Sequence, residues 1–152
     1  MRRFNLVLSL LFCLTLSSLS YSSQIVLKDV KGQNIPFESL KGKWVVINYW
    51  ASWCQPCLDE IIELNHFYEK NKAKVALFAV NYDRAPLHSQ IALIRKYKIS
   101  YPSLQFDPAP LLGLGHINGV PATFIFNPKG KLHTTLYGPQ TAESLKRATV
   151  RT

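Results

Sequence analysis

A chain of 152 residues is long enough for one domain and short for two. Its apolar fraction is ordinary for a globular protein, and no low-complexity tract interrupts it. The formal charge of +9 argues against basic partners and leaves acidic surfaces open. The cations are dispersed, however: Lys28, Lys31, Lys41 and Lys43, then Lys70, Lys72 and Lys74, then Arg95, Lys96 and Lys98. No block reads as a nucleic-acid arm, so no nucleic-acid partner is expected, and these residues read as a solvated basic surface.

The first residues follow their own pattern. Met1-Arg2-Arg3 is a basic head, Leu6 to Leu19 is mostly apolar, and "SSLSYSSQ" is small and polar. That order is the order of an export signal, with cleavage expected near Ser20 to Ser23. The apolar run is 14 residues, whereas a membrane span needs about 20. An uncleaved anchor is the alternative. Cys13 follows the bulky Phe12, which argues against a lipoprotein site. The division is therefore 1–23 as signal and 24–152 as one domain.

Gln24 to Asp29 alternates weakly and predicts a short strand. "KGQN" and "LKGK" read as turns. "WVVINYW", Trp44 to Trp50, predicts a buried strand from its β-branched and aromatic content. A helix follows from Pro56 to about Lys70, with Asp59, Glu63, His66 and Lys70 on one stripe. Leu58, Ile61, Ile62, Leu64 and Tyr68 supply its other faces. Pro56 suits a first helical turn, where its missing N–H costs nothing. Val75 to Asn81 predicts a second buried strand, and Pro86 to Lys98 a second helix. "SYPSLQFD" is extended, and one helical turn is expected at Leu111 to Leu114. Ala122 to Phe126 and Leu132 to Tyr137 form strands joined by the turn "NPKG", and Thr141 to Thr149 is a last helix. The order is β-α-β-α-β-β-α after a small N-terminal β element.

Cys54 and Cys57 stand where the first long strand meets its helix. Once the signal is removed they are the only cysteines. A loop closed over two residues constrains the unfolded chain little, so a structural staple explains them poorly. A structural zinc site needs four ligands, and His66, His88, His116 and His133 lie at no ligand spacing, so no metal is expected. The simplest reading is a redox dithiol, with no cofactor beyond the Cys54–Cys57 disulfide itself. A thiol attacks as its thiolate, and a helix N-terminus favours that form. Cys54 is therefore the expected nucleophile. Cys57, one turn further in, is expected to be buried and to resolve the mixed disulfide. The intervening Gln55-Pro56 is uncharged, which tilts the pair toward the reducing side.

"VVINYWASWCQPC" and the later "GVPATFIFNPKGK", together with the export signal, resemble the thioredoxin-like superfamily. The similarity is to its extracytoplasmic branch of TlpA, ResA and cytochrome-c-maturation proteins. It runs from about Ile35 to Lys146. It implies an α/β fold with a central mixed β-sheet flanked by helices and a small N-terminal β extension. It implies that Cys54 attacks, Cys57 resolves, and the peptide bond before Pro121 is cis and packs on the dithiol. Backbone at Val120 would then pair with an extended substrate segment and aim its cysteine. Trp53, Gln55 and Pro56 complete the substrate-binding set, and Trp50 belongs to the core. Cytoplasmic thioredoxin carries a buried aspartate at the position of Asn48, thought to relay the proton of the resolving thiol. Asparagine is common there in the extracytoplasmic branch, but it cannot titrate, so another group or a water must take the proton. Glu60 is the nearest acidic candidate by sequence, although its first reading is a solvated helix carboxylate.

The function expected from this resemblance is a periplasmic thiol–disulfide oxidoreductase. Its substrates would be exported proteins with cysteines, apocytochrome c among them, and its electrons would come from a membrane donor of the thiol-transfer type. A net oxidase or isomerase is the alternative within the same chemistry. A copper-delivery module is the alternative outside it, but such relatives separate their cysteines by three residues and add a distal histidine. A peroxidase would show Pro-x-x-x-Thr-x-x-Cys, and Ile47 and Ala51 stand at the proline and threonine positions.

Overall fold

The computed structural model describes residues 24–150. The signal read over 1–23 lies outside the described residues. No helix among the described residues is long and apolar enough to cross a membrane.

Val26–Lys28 (β1) pairs antiparallel with Asn34–Pro36 (β2). The sequence pattern predicts β1 alone, because three residues ending in proline carry no strand pattern of their own. Asp29 holds the turn: its Oδ1 accepts from the N–H groups of Lys31 and Gln33 at 2.9 and 2.8 Å. Gly32 supplies the positive φ of +84°.

Trp44–Trp50 (β3) is the middle of a five-stranded sheet ordered β5-β4-β3-β6-β7. Val75–Asn81 (β4) and Ser103–Leu104 (β5) run parallel to it on one side. Ala122–Phe126 (β6) and Leu132–Tyr137 (β7) run as an antiparallel hairpin on the other. These four longer strands fall on the predicted residues. All seven residues of β3 are buried because both faces of the sheet are covered. Trp44, Val46 and Trp50 face one core with Cys57, Ile61, Leu64 and Phe67, while Val45, Ile47 and Tyr49 face a second with Phe37, Phe124 and Phe126. A strand buried on both sides reads as a continuous apolar run. The N-terminal hairpin covers the β5 edge, with the Val30 N–H donating to the Ser103 carbonyl at 2.9 Å and the Gln105 N–H to Lys28 at 2.8 Å.

The helices are Gln55–Asn71 (α1), Leu87–Lys96 (α2), Ala109–Leu112 (α3) and Ala142–Val150 (α4). Helix α2 ends two residues before the predicted Lys98, which takes a left-handed φ of +55°. Helix α3 begins earlier than predicted because Asp107 Oδ1 accepts from the Ala109 N–H at 2.9 Å. The start of α4 is tied to α1 by Glu63, whose Oε2 accepts from the Ala142 N–H at 3.0 Å. The C-terminal ends of β3, β4 and β5 and the N-terminal end of β6 all reach one edge of the sheet. That edge carries the cysteines.

Candidate active site

Cys54 is the N-cap of α1 and Gln55 its first residue, with Pro56 in the first turn. The two cysteines are joined as a disulfide, Cα atoms 5.3 Å apart. The Cys57 N–H points at Cys54 Sγ from 3.3 Å. A thiolate on Cys54 would therefore meet a free helical N–H and the positive end of the dipole. Cys57 is wholly buried while Cys54 keeps 6% of its surface. The outer sulfur is the accessible one, as the order of the motif implies.

The Val120–Pro121 peptide is cis, and the Val120 carbonyl oxygen lies 3.6 Å from Cys54 Sγ. The two stretches that carry the family resemblance, far apart in the chain, thus meet at one sulfur. Trp53 stands out from the surface at 68% exposure, and Gln55 and Pro56 are exposed beside it. Trp50 is buried, its ring edge-on to Tyr97 at 5.8 Å between centroids. His116 is an exposed residue of the loop leading to Pro121 and shares a cavity of about 200 Å³ with Tyr82, Arg84 and Asp107.

Glu60 overturns its first reading. It is no solvated carboxylate: only 2% of it is exposed. It lies three residues after Cys57, hence on the same face of α1, and that face packs on the sheet. The amide nitrogen of Asn48 donates to Glu60 Oε1 at 2.7 Å and to Thr123 Oγ1 at 3.2 Å. The Gln140 N–H donates to Glu60 Oε2 at 2.7 Å. Burial pushes the Glu60 carboxyl up to about 7, although the Gln140 and Asn48 hydrogen bonds pull it the other way. Ile62, expected on an apolar face, is exposed instead. The helix turns Glu60 inward, where a partner awaits each oxygen, and leaves the isoleucine outside.

Asp83 went unread in the sequence. It lies just beyond β4 and binds the segment that precedes Cys54: the Ser52 N–H donates to Oδ2 at 2.9 Å and the Ser52 hydroxyl to Oδ1 at 3.0 Å. Asn81 donates to Oδ2 at 2.6 Å. Its neighbour Tyr82 donates its hydroxyl to the Ile117 carbonyl at 2.9 Å. One short loop therefore braces both the cysteine segment and the loop of Pro121. An Asn-Tyr-Asp stretch after a strand is an ordinary turn signal, so nothing local marks it.

The AhpC/TSA family matches residues 22–135 of the chain. Sporulation thiol-disulfide oxidoreductase A of Bacillus subtilis is 31% identical over 127 residues, which is 82% of this chain and 76% of that protein. Thiol-disulfide oxidoreductase ResA of Bacillus cereus is 30% identical over 122 residues, 80% of this chain and 70% of that one. The crystal structure of StoA from Bacillus subtilis superposes with a TM-score of 0.68 at 29% identity, covering 82% of this chain and 94% of that one. A secreted thiol-disulfide isomerase from Corynebacterium glutamicum shares the fold, with a TM-score of 0.71 at 18% identity over 84% of this chain and 81% of its own.

Proposed function

Because the chain belongs to the AhpC/TSA family, has the thioredoxin-like fold and is a thiol–disulfide oxidoreductase, we propose that it reduces disulfides in proteins exported from a bacterial cell. The observation that carries the assignment of roles is the asymmetry of the pair: Cys54 is reachable at the helix cap, and Cys57 is sealed beneath it. In the reduced protein the Cys54 thiolate attacks a substrate disulfide. One substrate sulfur leaves as a thiolate and takes up a proton. Cys57 then loses its proton and attacks Cys54 Sγ. The Cys54–Cys57 disulfide forms, and the substrate leaves with both of its sulfurs as thiols. Two electrons pass to the substrate, and its two sulfurs take up one proton that balances the one lost by Cys57 and one from solvent.

Val120 and the cis Pro121 supply the backbone against which an extended substrate strand aligns its cysteine. Trp53, Gln55 and Pro56 form the exposed rim it crosses. Glu60, held by Asn48, is the acceptor for the Cys57 proton: it shares the helix face with that sulfur, and its carboxyl titrates near neutrality. No further cofactor takes part in the exchange. The site of action is the periplasm, reached through the signal of residues 1–23 or with that segment kept as a tether. Electrons come from a membrane donor of the thiol-transfer type, and apocytochrome c is among the candidate substrates.

Trapping tests the roles. A Cys57→Ala variant should accumulate mixed disulfides on Cys54 with exported proteins, identifiable by mass spectrometry. Equal or better trapping by Cys54→Ala would reverse the assignment. A reduction potential well above about −200 mV would reject the reducing direction.

A further inference from the structure

The lysines that are dispersed in the sequence are gathered by the fold. Lys41 and Lys43 precede β3, Lys72 and Lys74 precede β4, and Lys129 and Lys131 lie in the β6–β7 turn. All six are exposed. The strand registers bring these segments to one end of the sheet, because Trp44 pairs with Val75 while Val45 pairs with Phe126. The Gly42 N–H donates to the Pro128 carbonyl at 2.9 Å and the Trp44 N–H to that of Lys74 at 3.0 Å. Glu38 and Glu69 are the acidic residues paired there, with Lys41 and Lys72. The opposite end, about 20 Å away along β3, holds the disulfide together with Asp59, Asp83 and Asp107, with Arg84 as a cation among them. The molecule is electrically polarised along its strands.

Two other features mark the lysine end. Leu132 is an exposed apolar side chain directly beside Lys131. The described chain also begins there. The Ile25 carbonyl accepts from the Phe37 N–H at 2.8 Å, and Phe37 packs edge-on against Phe126 at 5.2 Å. The first described residues therefore lie toward the basic pole. The exposed aromatic residues Trp53, Phe106 and Tyr137 follow β3 and β5 or end β7, at the other pole. A surface for single-stranded nucleic acid interleaves aromatic residues with its cations, and this one does not.

We propose that the lysine pole is a docking surface for an anionic lipid bilayer, which holds the docked domain with Cys54 turned toward soluble substrates, and that the domain leaves this surface to meet its membrane donor. Lysine stems can lie along the interface with their ammonium groups at the headgroups, and Leu132 can enter between them. The inference is separate from the thiol chemistry, and its test reads lipid binding alone.

The test compares three full-length proteins, so that residues 1–23 contribute equally to each. They are the wild type, Lys41→Gln/Lys43→Gln/Lys129→Gln/Lys131→Gln, and Lys31→Gln/Arg95→Gln/Lys96→Gln/Lys98→Gln, which removes the same charge from another side. Partition is measured on phosphatidylcholine vesicles with and without about one-third phosphatidylglycerol. The wild type should prefer the anionic vesicles by about tenfold or more. That preference should vanish in about 1 M salt, where the screening length is about 3 Å. The pole variant should lose it, and the second variant should keep most of it. Thermal melts show whether each variant is folded. Two outcomes would overturn the proposal: no preference in the wild type, or equal loss in both variants.

Discussion

Glu60 is where one side chain matters most. Its ordinary value of 4.5 rises to about 7 through burial. Between those values the folded chain holds more protons than the unfolded one, so this group subtracts stability as pH rises through the window. The cost is complete above about pH 7 and amounts to about 3 kcal/mol. A Glu60→Gln variant removes it while keeping the shape of the side chain. Its stability relative to wild type should therefore climb between pH 4.5 and 7 and then level off. Urea unfolding of both proteins at several pH values checks this, and a difference independent of pH would mean the carboxyl is not raised. If Glu60 also takes the Cys57 proton, the same variant should slow resolution of a mixed disulfide and lose the inflection near neutral pH. The sequence singled out Asn48 and Glu60 as a possible relay, but it could not see that they touch. They are 12 residues apart on a strand and a helix, and only the packing of α1 on β3 closes the gap.

Among the elements, the loop after β4 has the widest reach for its size. Tyr82 and Asp83 hold the cysteine segment and the Pro121 loop at a set separation. An extended substrate must fit between those two segments, whereas a small disulfide needs only Cys54. Tyr82→Phe should therefore raise KM severalfold for a protein disulfide and leave the rate with a small aromatic disulfide unchanged. Asp83→Ala leaves the Ser52 N–H without its acceptor and should cost about 1–3 kcal/mol of stability as well. Steady-state kinetics on both substrates, with urea unfolding alongside, separates the two effects. An equal loss on both substrates would show that the loop merely supports the fold. The long strands and α1 were legible because their patterns are local, a run of β-branched residues or a proline at a helix start. β2 and the start of α3 were not, because a partner strand and the carboxylate of Asp107 define them.

At the scale of the whole molecule, β3 is shared by both cores, so the two faces of the sheet cannot open independently. A chain beginning at Gln24 should fold on its own and unfold in a single transition, with the midpoint of the full-length protein. Calorimetry tests it: a two-step melt would show that the faces separate, and a lowered midpoint would show that residues 1–23 support the domain. The same scale produces the basic pole. Along the chain the lysines come in twos and threes, the pattern of a solvated surface. Strand register then places three such groups side by side.

By itself the sequence determined the chemistry. A CxxC at the junction of a buried strand and a proline-started helix, and a proline motif about 65 residues later, are short-range patterns. Their meaning depends on backbone geometry that a few neighbouring residues impose. The tertiary structure alone decided what surrounds that chemistry: the buried carboxyl that can receive a proton, the aspartate that braces the cysteine segment, and the end of the molecule that carries the charge. Each of these joins residues distant in the chain, and burial and register, which no local pattern encodes, bring them together.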